Sequence, residues 1–106
     1  MTSLAVNLIM GDVQAELRKQ NHKWGAQRHL PFGTSELAYS PQAEVEKAVT
    51  DYANQVGEVT WAQILREEVA EFMAEEDLAR MRAELVQIAA VAVAVVEDID
   101  SRTKGQ

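Results

Sequence analysis

Three glutamates occupy helical positions in this chain where apolar residues would be expected. Glu68 and Glu71 lie three residues apart, and Glu84 follows in a second helical segment. A helix over residues 61–76, at about 100° per residue, places Glu68 in the middle of an apolar stripe. That stripe is made of Trp61, Ile64, Leu65 and Phe72. A carboxylate removed from water costs several kcal/mol unless it is paired, so these charges need a partner.

The second segment repeats the pattern, with Glu84 among apolar residues and Gln87 one turn along the same side. The apolar neighbours are Met81, Ile88, Val91 and Val95. Acidic pairs at i, i+3 on two facing helices joined by a short turn could hold a divalent cation between them. The sequence therefore predicts a metal site at this helical hairpin.

The glutamates could also be accommodated without a metal. The arginines nearby in sequence could form structural salt bridges with them, since perturbed charges also occur in structural networks. These arginines are Arg66, Arg80 and Arg82. Some of the glutamates could also simply be solvated.

Composition limits the classes of partner and compartment. At 106 residues the chain is expected to form one domain, residues 1–106, near the size at which dimerisation helps stability. The net charge of −7 argues against a nucleic-acid polymer as partner, and zero cysteines exclude a thiolate metal site. Residues 1–10 lack the basic start of a signal peptide, and the longest apolar run, residues 88–96, is too short for a membrane span. We expect a cytoplasmic protein that does not contact a membrane.

The pattern of apolar residues predicts an all-α fold of four helices. The first helix is expected from about Leu4 to Trp24, ended by Gly25, and a loop follows over residues 25–40. Its apolar face contains Val6, Met10, Val13 and Leu17. Ser40–Pro41 fits an N-cap followed by proline at the first helical position. The second helix carries Val45, Val49, Tyr52 and Val56 on one side and is stopped by Gly57.

The last two helices have clear starting signals. Thr60 and Gln63 form a capping-box pattern at the start of the third helix, and Asp77 can cap a fourth from Leu78 to about Ile99. In the fourth helix residues 88–96 are apolar on every side, so they are expected to be buried all round. A homodimer with this helix at its centre, or a dimer of dimers, would cover them.

The acidic pattern resembles that of the MazG-like, all-α nucleoside triphosphate pyrophosphohydrolases. The family pattern is EExxE, a spacer, then ExxD; here it reads Glu67-Glu68-x-x-Glu71, twelve residues, then Glu84-x-x-Gln87. The resemblance is best over residues 58–100. Residues 20–29, QNHKWGAQRH, also resemble the N-terminal part of small MazG-like proteins from actinobacteria and their phages.

The resemblance implies a four-helix MazG-like bundle that cleaves a nucleoside or deoxynucleoside triphosphate to the monophosphate and pyrophosphate, with Mg²⁺ or Mn²⁺ as cofactor. It assigns metal coordination to Glu68, Glu71 and Glu84, with Gln87 where the family has aspartate. Glu67 becomes a water-orienting carboxylate, so Glu67 and Glu68 are the expected catalytic residues. The amide of Gln87 can ligate Mg²⁺ but brings no charge.

Five residues near the end of the first helix are candidates for contacting the nucleotide. Lys23 could meet a phosphate as a point charge, and Trp24 could stack on a base, although both also suit ordinary surface or core roles. Gln20 and Gln27 offer amide groups that could hydrogen-bond a base edge. His29 could touch a phosphate or a base.

Three functions remain open at this stage. The first is a Mg²⁺-dependent nucleotide pyrophosphohydrolase. The second, suggested by Gln87, is a nucleotide-binding protein of the same fold with weak or no turnover. The third is a structural helical dimer without a ligand, in which the glutamates pair with arginines.

Overall fold

A computed structural model of the chain describes residues 3–25, 30–35 and 39–104. This described part contains four helices and no strand, which confirms the predicted all-α class. The helices are α1, Ser3–Trp24; α2, Tyr39–Gln55; α3, Trp61–Met73; and α4, Leu78–Lys104. The chain divides into two compact units. One unit comprises Met1–Phe32 with Val93–Gln106, and the other comprises Gly33–Ala92.

Within Gly33–Ala92, α2 ends at a glycine in the left-handed region. Gly57 has φ +72°, which a side chain would make costly. The amide of Gly57 donates to the carbonyl of Asn54 at 3.3 Å, and that of Glu58 donates to the carbonyl of Ala53 at 2.8 Å. These two bonds satisfy carbonyls at the helix end and form a Schellman motif. The prediction that Gly57 stops the second helix is confirmed.

The start of α3 is fixed by Thr60, as predicted. Thr60 is extended (φ −119°, ψ 158°), and its side chain accepts a hydrogen bond from the amide of Gln63 at 3.1 Å. The Gln63 side chain does not return to the cap, so that half of the predicted capping box is wrong. Its Nε2 instead donates to Oε2 of Glu46 at 2.7 Å and to Oγ1 of Thr50 at 3.0 Å. Gln63 is buried against α2, where a polar amide needs acceptors.

A tight turn leads from α3 into α4. Oδ2 of Asp77 accepts a hydrogen bond from the amide of Arg80 at 2.9 Å, which confirms Asp77 as the cap of α4. The segment before α2 also contacts this region. The amide of Ser35 donates to the carbonyl of Met73 at 2.8 Å, and the Thr34 hydroxyl lies 3.6 Å from the sulfur of the buried Met81.

Two helix boundaries differ from the predictions. α2 begins at Tyr39, so Ser40 and Pro41 lie inside its first turn. Proline is tolerated there because first-turn amides have no helical acceptor. α4 continues to Lys104, past the predicted end near Ile99. A bidentate pair between Arg102 and Asp98, at 3.0 Å for both bonds, supports this extension at i, i+4.

In the unit made of Met1–Phe32 and Val93–Gln106, α1 buries a different side from the one predicted. Ile9 is buried, whereas Met10, Val13 and Leu17 of the predicted apolar face are exposed. α1 and the end of α4 border a cavity of about 190 Å³. It is lined by Ala5, Leu8, Ile9, Asp12, Glu97, Asp100 and Ser101. The pair Ala5 and Ile9, one turn apart, therefore sets the side of α1 that meets α4 within this unit.

The apolar segment of α4 is not buried all round in the single chain. Most of its larger side chains are half-buried, whereas Val96 and several of its alanines are exposed. The half-buried residues are Ile88, Val91, Val93 and Val95; the exposed alanines are Ala89, Ala90 and Ala92. None of the helices in the described ranges is both long enough and apolar enough to cross a membrane.

Candidate functional site

Three glutamates of the unit Gly33–Ala92 converge between α3 and α4. Glu68, Glu71 and Glu84 each place one carboxylate oxygen within 4.8 Å of the other two. Glu68 and Glu71 are neighbours at i, i+3 on α3, and the turn before Leu78 carries Glu84 back beside them. All three side chains are half-buried. The sequence pattern predicted this convergence, and the structure brings the three residues together. We call this group the acidic cluster.

Part of the acidic cluster is cut off from both solvent and hydrogen-bond donors. Oε2 of Glu68 and Oε2 of Glu84 are buried and have no hydrogen-bond partner among the described residues. Two ionised carboxylates cannot supply a hydrogen to each other, because both are acceptors only. These oxygens would be satisfied by a cation, or by a proton shared within the cluster.

The arginines that could have paired with these acids do not do so. Within the described residues, Arg66, Arg80 and Arg82 form no ion pair. The salt bridges seen among the described residues are Lys47 with Asp51 and Arg102 with Asp98, and neither includes a residue of the acidic cluster. The expected alternative of glutamates held by neighbouring arginines therefore finds no support in the side-chain contacts.

The electrostatic effect of this arrangement is concentrated on Glu84. Burial, followed by the charge of Glu71, raises the pKa of Glu84 from 4.5 to about 7. Hydrogen bonding to Glu68 and Glu71 and the charge of Glu68 act in the same direction. Those hydrogen bonds require a proton on Glu84, whereas the ionised group has no donor. Without a bound cation, Glu84 is therefore partly protonated near neutral pH.

The donor set suits a hard divalent cation. Carboxylate oxygens are the ligands that Mg²⁺ and Ca²⁺ prefer, and Mg²⁺ lies about 2.0–2.1 Å from each. Ligand oxygens around such an ion are about 3–4 Å apart, which is comparable to the separations of at most 4.8 Å within the acidic cluster. Glu68, Glu71 and Glu84 could therefore hold a metal ion.

Glu67 is not part of the acidic cluster and lies close to Thr50 of α2. Burial raises the pKa of Glu67, the nearby Thr50 hydroxyl lowers it, and the charge of Glu71 raises it further. Lys47 and Asp51 of α2 add smaller opposing effects. The charge of Glu71 thus acts on the Glu67 carboxylate, which also lies close to Thr50 in the buried polar contact between α2 and α3.

Gln87 lies one turn beyond Glu84 on α4, and its side chain is exposed. No hydrogen bond joins it to Glu68, Glu71 or Glu84 in the described structure. The resemblance assigns Gln87 to the metal site beside Glu84. Because its side chain is exposed, a ligand arriving from solvent can reach it.

The other predicted site residues lie in or near the end of α1. Gln20 and Lys23 line one shallow surface depression of about 360 Å³, together with Glu16 and Lys19. Gln27 and His29, and the side chain of Trp24, fall outside the described residues. The assignment of these five residues to nucleotide binding stays a prediction.

Two polar residues near the acidic cluster were not singled out as part of the site from the sequence. Thr50 of α2 and Gln63 of α3 are both buried, and they connect Glu46 to the helix turn that carries Glu67. Gln63 looked like the second half of a capping box, and Thr50 lay beside the apolar positions of its helix. The signal that could have identified them is that both are polar residues next to the apolar positions of their helices.

The chain matches no known protein-family model, and neither a curated protein nor a solved structure is similar to it at a significant level.

Proposed function

We propose that this protein is a nucleotide pyrophosphohydrolase that uses Mg²⁺ at the acidic cluster. The observation that carries the proposal is the convergence of Glu68, Glu71 and Glu84, with two buried carboxylate oxygens that lack a donor. Without a cation, these oxygens can be satisfied only by a proton held within the cluster, and the pKa of Glu84 is raised to about 7 as a result. The sequence resemblance to MazG-like enzymes supplies the reaction class.

The chain contributes charge and positioning to this reaction. Glu68, Glu71 and Glu84 would hold the Mg²⁺, which would supply neutralisation of phosphate charge during attack by water. The resemblance supplies the role proposed for Glu67, which is to orient or deprotonate that water; Glu67 is outside the acidic cluster but close enough to Glu71 for the charge of Glu71 to raise its pKa. Lys23 and Gln20 share one surface of α1 and are the proposed contacts for the phosphate and the base.

A second candidate function is nucleotide binding with weak or no turnover. It is favoured by Gln87, which lacks the charge that an aspartate would bring beside Glu84. This function requires the same metal and the same nucleotide, so binding alone does not separate it from the first.

Glu68→Gln tests the role of the acidic cluster. We expect the purified wild-type protein to release pyrophosphate from at least one member of a panel of nucleoside triphosphates only when Mg²⁺ is added. Glu68→Gln should lose this turnover, by at least about 10²-fold, and should also lose the thermal shift caused by Mg²⁺ alone. Its fold should persist because the uncompensated charge has been removed.

The matched control is Glu76→Gln, an exposed glutamate in the turn between α3 and α4. It removes the same charge outside the acidic cluster and should keep wild-type activity. Full activity in Glu68→Gln would disprove the metal assignment. A Mg²⁺-dependent thermal shift with nucleotide but without turnover would select the binding function instead.

A further inference from the structure

The hairpin of α2 and α3 carries an exposed apolar face. The strongest apolar stripe of α2 is exposed along its whole length. Its members are Val45 (60% exposed), Val49 (46%), Tyr52 (65%) and Val56 (46%). At about 100° per residue these four side chains fall within about 60° of one another. They form one continuous ridge.

The side of α2 that meets α3 is a different one. It contains the buried Thr50, with Glu46, whose Oε2 accepts a hydrogen bond from Gln63 of α3. This side lies roughly 100° around α2 from the ridge. The hairpin is therefore held together by small and polar contacts, and the more apolar side of α2 is left for another surface.

A groove runs beside the ridge on the same face of the hairpin. It has a volume of about 610 Å³ and is open to solvent. It is lined by Gln42, Glu46, Ala62, Leu65, Arg66, Val69, Ala70 and Met73. Around α3, the groove-lining side chains centre roughly 150° from the acidic cluster. The ridge and groove thus occupy the face of the hairpin that lies away from Glu68 and Glu71.

The charges in the groove suit a symmetric partner. Arg66 and Glu46 both line it, and within the described residues neither forms an ion pair. In a two-fold interface every contact between residues i and j occurs twice with the roles exchanged. Arg66 of one copy facing Glu46 of the other would therefore give two ion pairs from one geometry.

The dimensions of the face also suit a stable dimer. At 1.5 Å per residue, α2 and α3 are roughly 25 Å and 20 Å long, and two packed helices are roughly 20 Å wide. Because side chains corrugate this footprint, its accessible area approaches the about 800 Å² per partner of a standard stable interface. A ridge and a groove on one face allow two copies to interdigitate.

We infer that the α2–α3 face is the docking surface for a second copy of this chain, with the ridge of each copy packed in the groove of the other. The resulting interface is a four-helix layer of two hairpins. It differs from a dimer centred on α4, whose valines at 91, 93 and 95 are already half-buried in the single chain. The acidic clusters of the two copies lie on the outer sides of this layer.

The first test is the mass of the full chain by light scattering at micromolar concentration. We expect the wild-type protein to have the mass of two or four chains, and Val49→Lys to lower it or to weaken association by at least tenfold. The matched control is Val86→Lys, a valine of α4 that is 55% exposed and outside the face. It should keep the wild-type mass. Circular dichroism checks that both variants remain helical.

A second test does not depend on a destabilising substitution. Because the chain has no cysteine, a single introduced cysteine reacts alone with a short bifunctional maleimide. Val49→Cys should give crosslinked pairs of chains, and Val95→Cys should not. The charge swap completes the design: Arg66→Glu should weaken association, and adding Glu46→Arg should restore it.

Three results would overturn the inference. A wild-type mass of one chain would show that no second copy covers the face. Crosslinking at Val95 but not at Val49 would place the contact on α4. Unchanged association in Val49→Lys would show that the ridge is outside the interface. None of these results depends on catalytic turnover, so the proposed function is tested separately.

Discussion

Glu84 is the residue at which competition between a proton and a divalent cation for the acidic cluster can be measured. Its carboxyl group is half-buried, close to Glu68 and Glu71, and its pKa is raised to about 7. A proton and a divalent cation therefore compete for the same oxygens. The affinity of the cluster for Mg²⁺ should rise with pH up to about 7 and level off above it.

The raised pKa predicts a specific dependence of stability on pH without divalent cations. The folded protein holds the Glu84 proton more tightly than the unfolded chain, whose glutamate has its ordinary pKa of 4.5. The stabilising contribution of this proton is complete below pH 4.5 and is lost as pH rises through about 7. Urea denaturation of the wild type and of Glu84→Gln between pH 4.5 and 8 measures it.

The glutamine in Glu84→Gln cannot ionise, so this variant does not lose the contribution that the wild type loses. The free energy of unfolding of Glu84→Gln minus that of the wild type should therefore increase between pH 4.5 and 8. Subtracting the two curves removes the titration of the other carboxylates. Saturating Mg²⁺ should reverse the trend, because the ionised cluster is then the ligand. A difference between the two proteins that does not vary with pH would contradict the proton balance.

Gln87→Asp tests whether the missing charge limits the site. An aspartate one turn from Glu84 adds one unit of attraction for a divalent cation from an exposed position. We expect Mg²⁺ to bind about tenfold more tightly, which corresponds to about 1.4 kcal/mol, and turnover to increase. Isothermal titration and pyrophosphate release measure the two quantities.

Gln87→Glu is the useful comparison because it adds the same charge on a longer side chain. If Gln87→Asp binds Mg²⁺ more tightly but hydrolyses nucleotide more slowly, the amide has a role of its own toward the substrate. Equal behaviour of Gln87→Asp and the wild type would show that position 87 is outside the metal site.

At the scale of the elements, the contact between α2 and α3 rests on the Thr50–Gln63 pair. Both side chains are buried: Gln63 donates to the hydroxyl oxygen of Thr50 at 3.0 Å, and that hydroxyl donates to the carbonyl of Glu46 at 2.9 Å. Thr50→Val should lower the free energy of unfolding by about 0.5–1.5 kcal/mol, because Gln63 Nε2 loses one hydrogen bond but keeps the carboxylate and the carbonyl of Glu46 as acceptors.

A double-mutant cycle with Gln63→Leu identifies the pair. The two substitutions together should cost less than the sum of the single ones, with a coupling of about 0.5–3 kcal/mol. Thr103→Val, at an exposed hydroxyl of α4, should change stability by less than about 0.5 kcal/mol and serves as the control. Additive single effects would show that the two residues stabilise the hairpin independently.

The local signals in the sequence predicted where helices begin and end, but not which side each one buries. Gly57, Thr60 and Asp77 act through bonds to residues within a few positions, so their effect is visible in the sequence. The convergence of Glu68, Glu71 and Glu84 was predictable for the same reason, since it needs only i, i+3 spacing and a short turn. The buried sides of α1 and α2 depend on distant elements, so Ile9 and Thr50 were missed.

For the whole molecule, the net charge of −7 opposes the association inferred above. Two copies bring like charges together, and salt reduces that repulsion because the Debye length falls from about 30 Å at 0.01 M to about 8 Å at 0.15 M. We expect the dimer dissociation constant to fall by at least about threefold over this range. Sedimentation equilibrium at two concentrations of NaCl measures it.

The pair Arg66 and Glu46 of the inferred interface provides the control for this experiment. Arg66→Glu makes the local charges of the face alike, so its association should depend more steeply on salt than that of the wild type. If association of the wild type weakens as salt increases, attraction between Arg66 and Glu46 outweighs the repulsion of the remaining charges. That outcome would contradict the prediction made from net charge.

The turn between α3 and α4 has a kinetic consequence. Because it is short, the three acidic residues are all supplied by the stretch from Glu68 to Glu84, and the loop that must close to assemble them is small. Small loops close in well under a microsecond, and their entropy cost is low. The cation site can therefore assemble as soon as this one hairpin has formed, ahead of contacts between residues far apart in the chain. A bound ion would then speed refolding as well as slow unfolding.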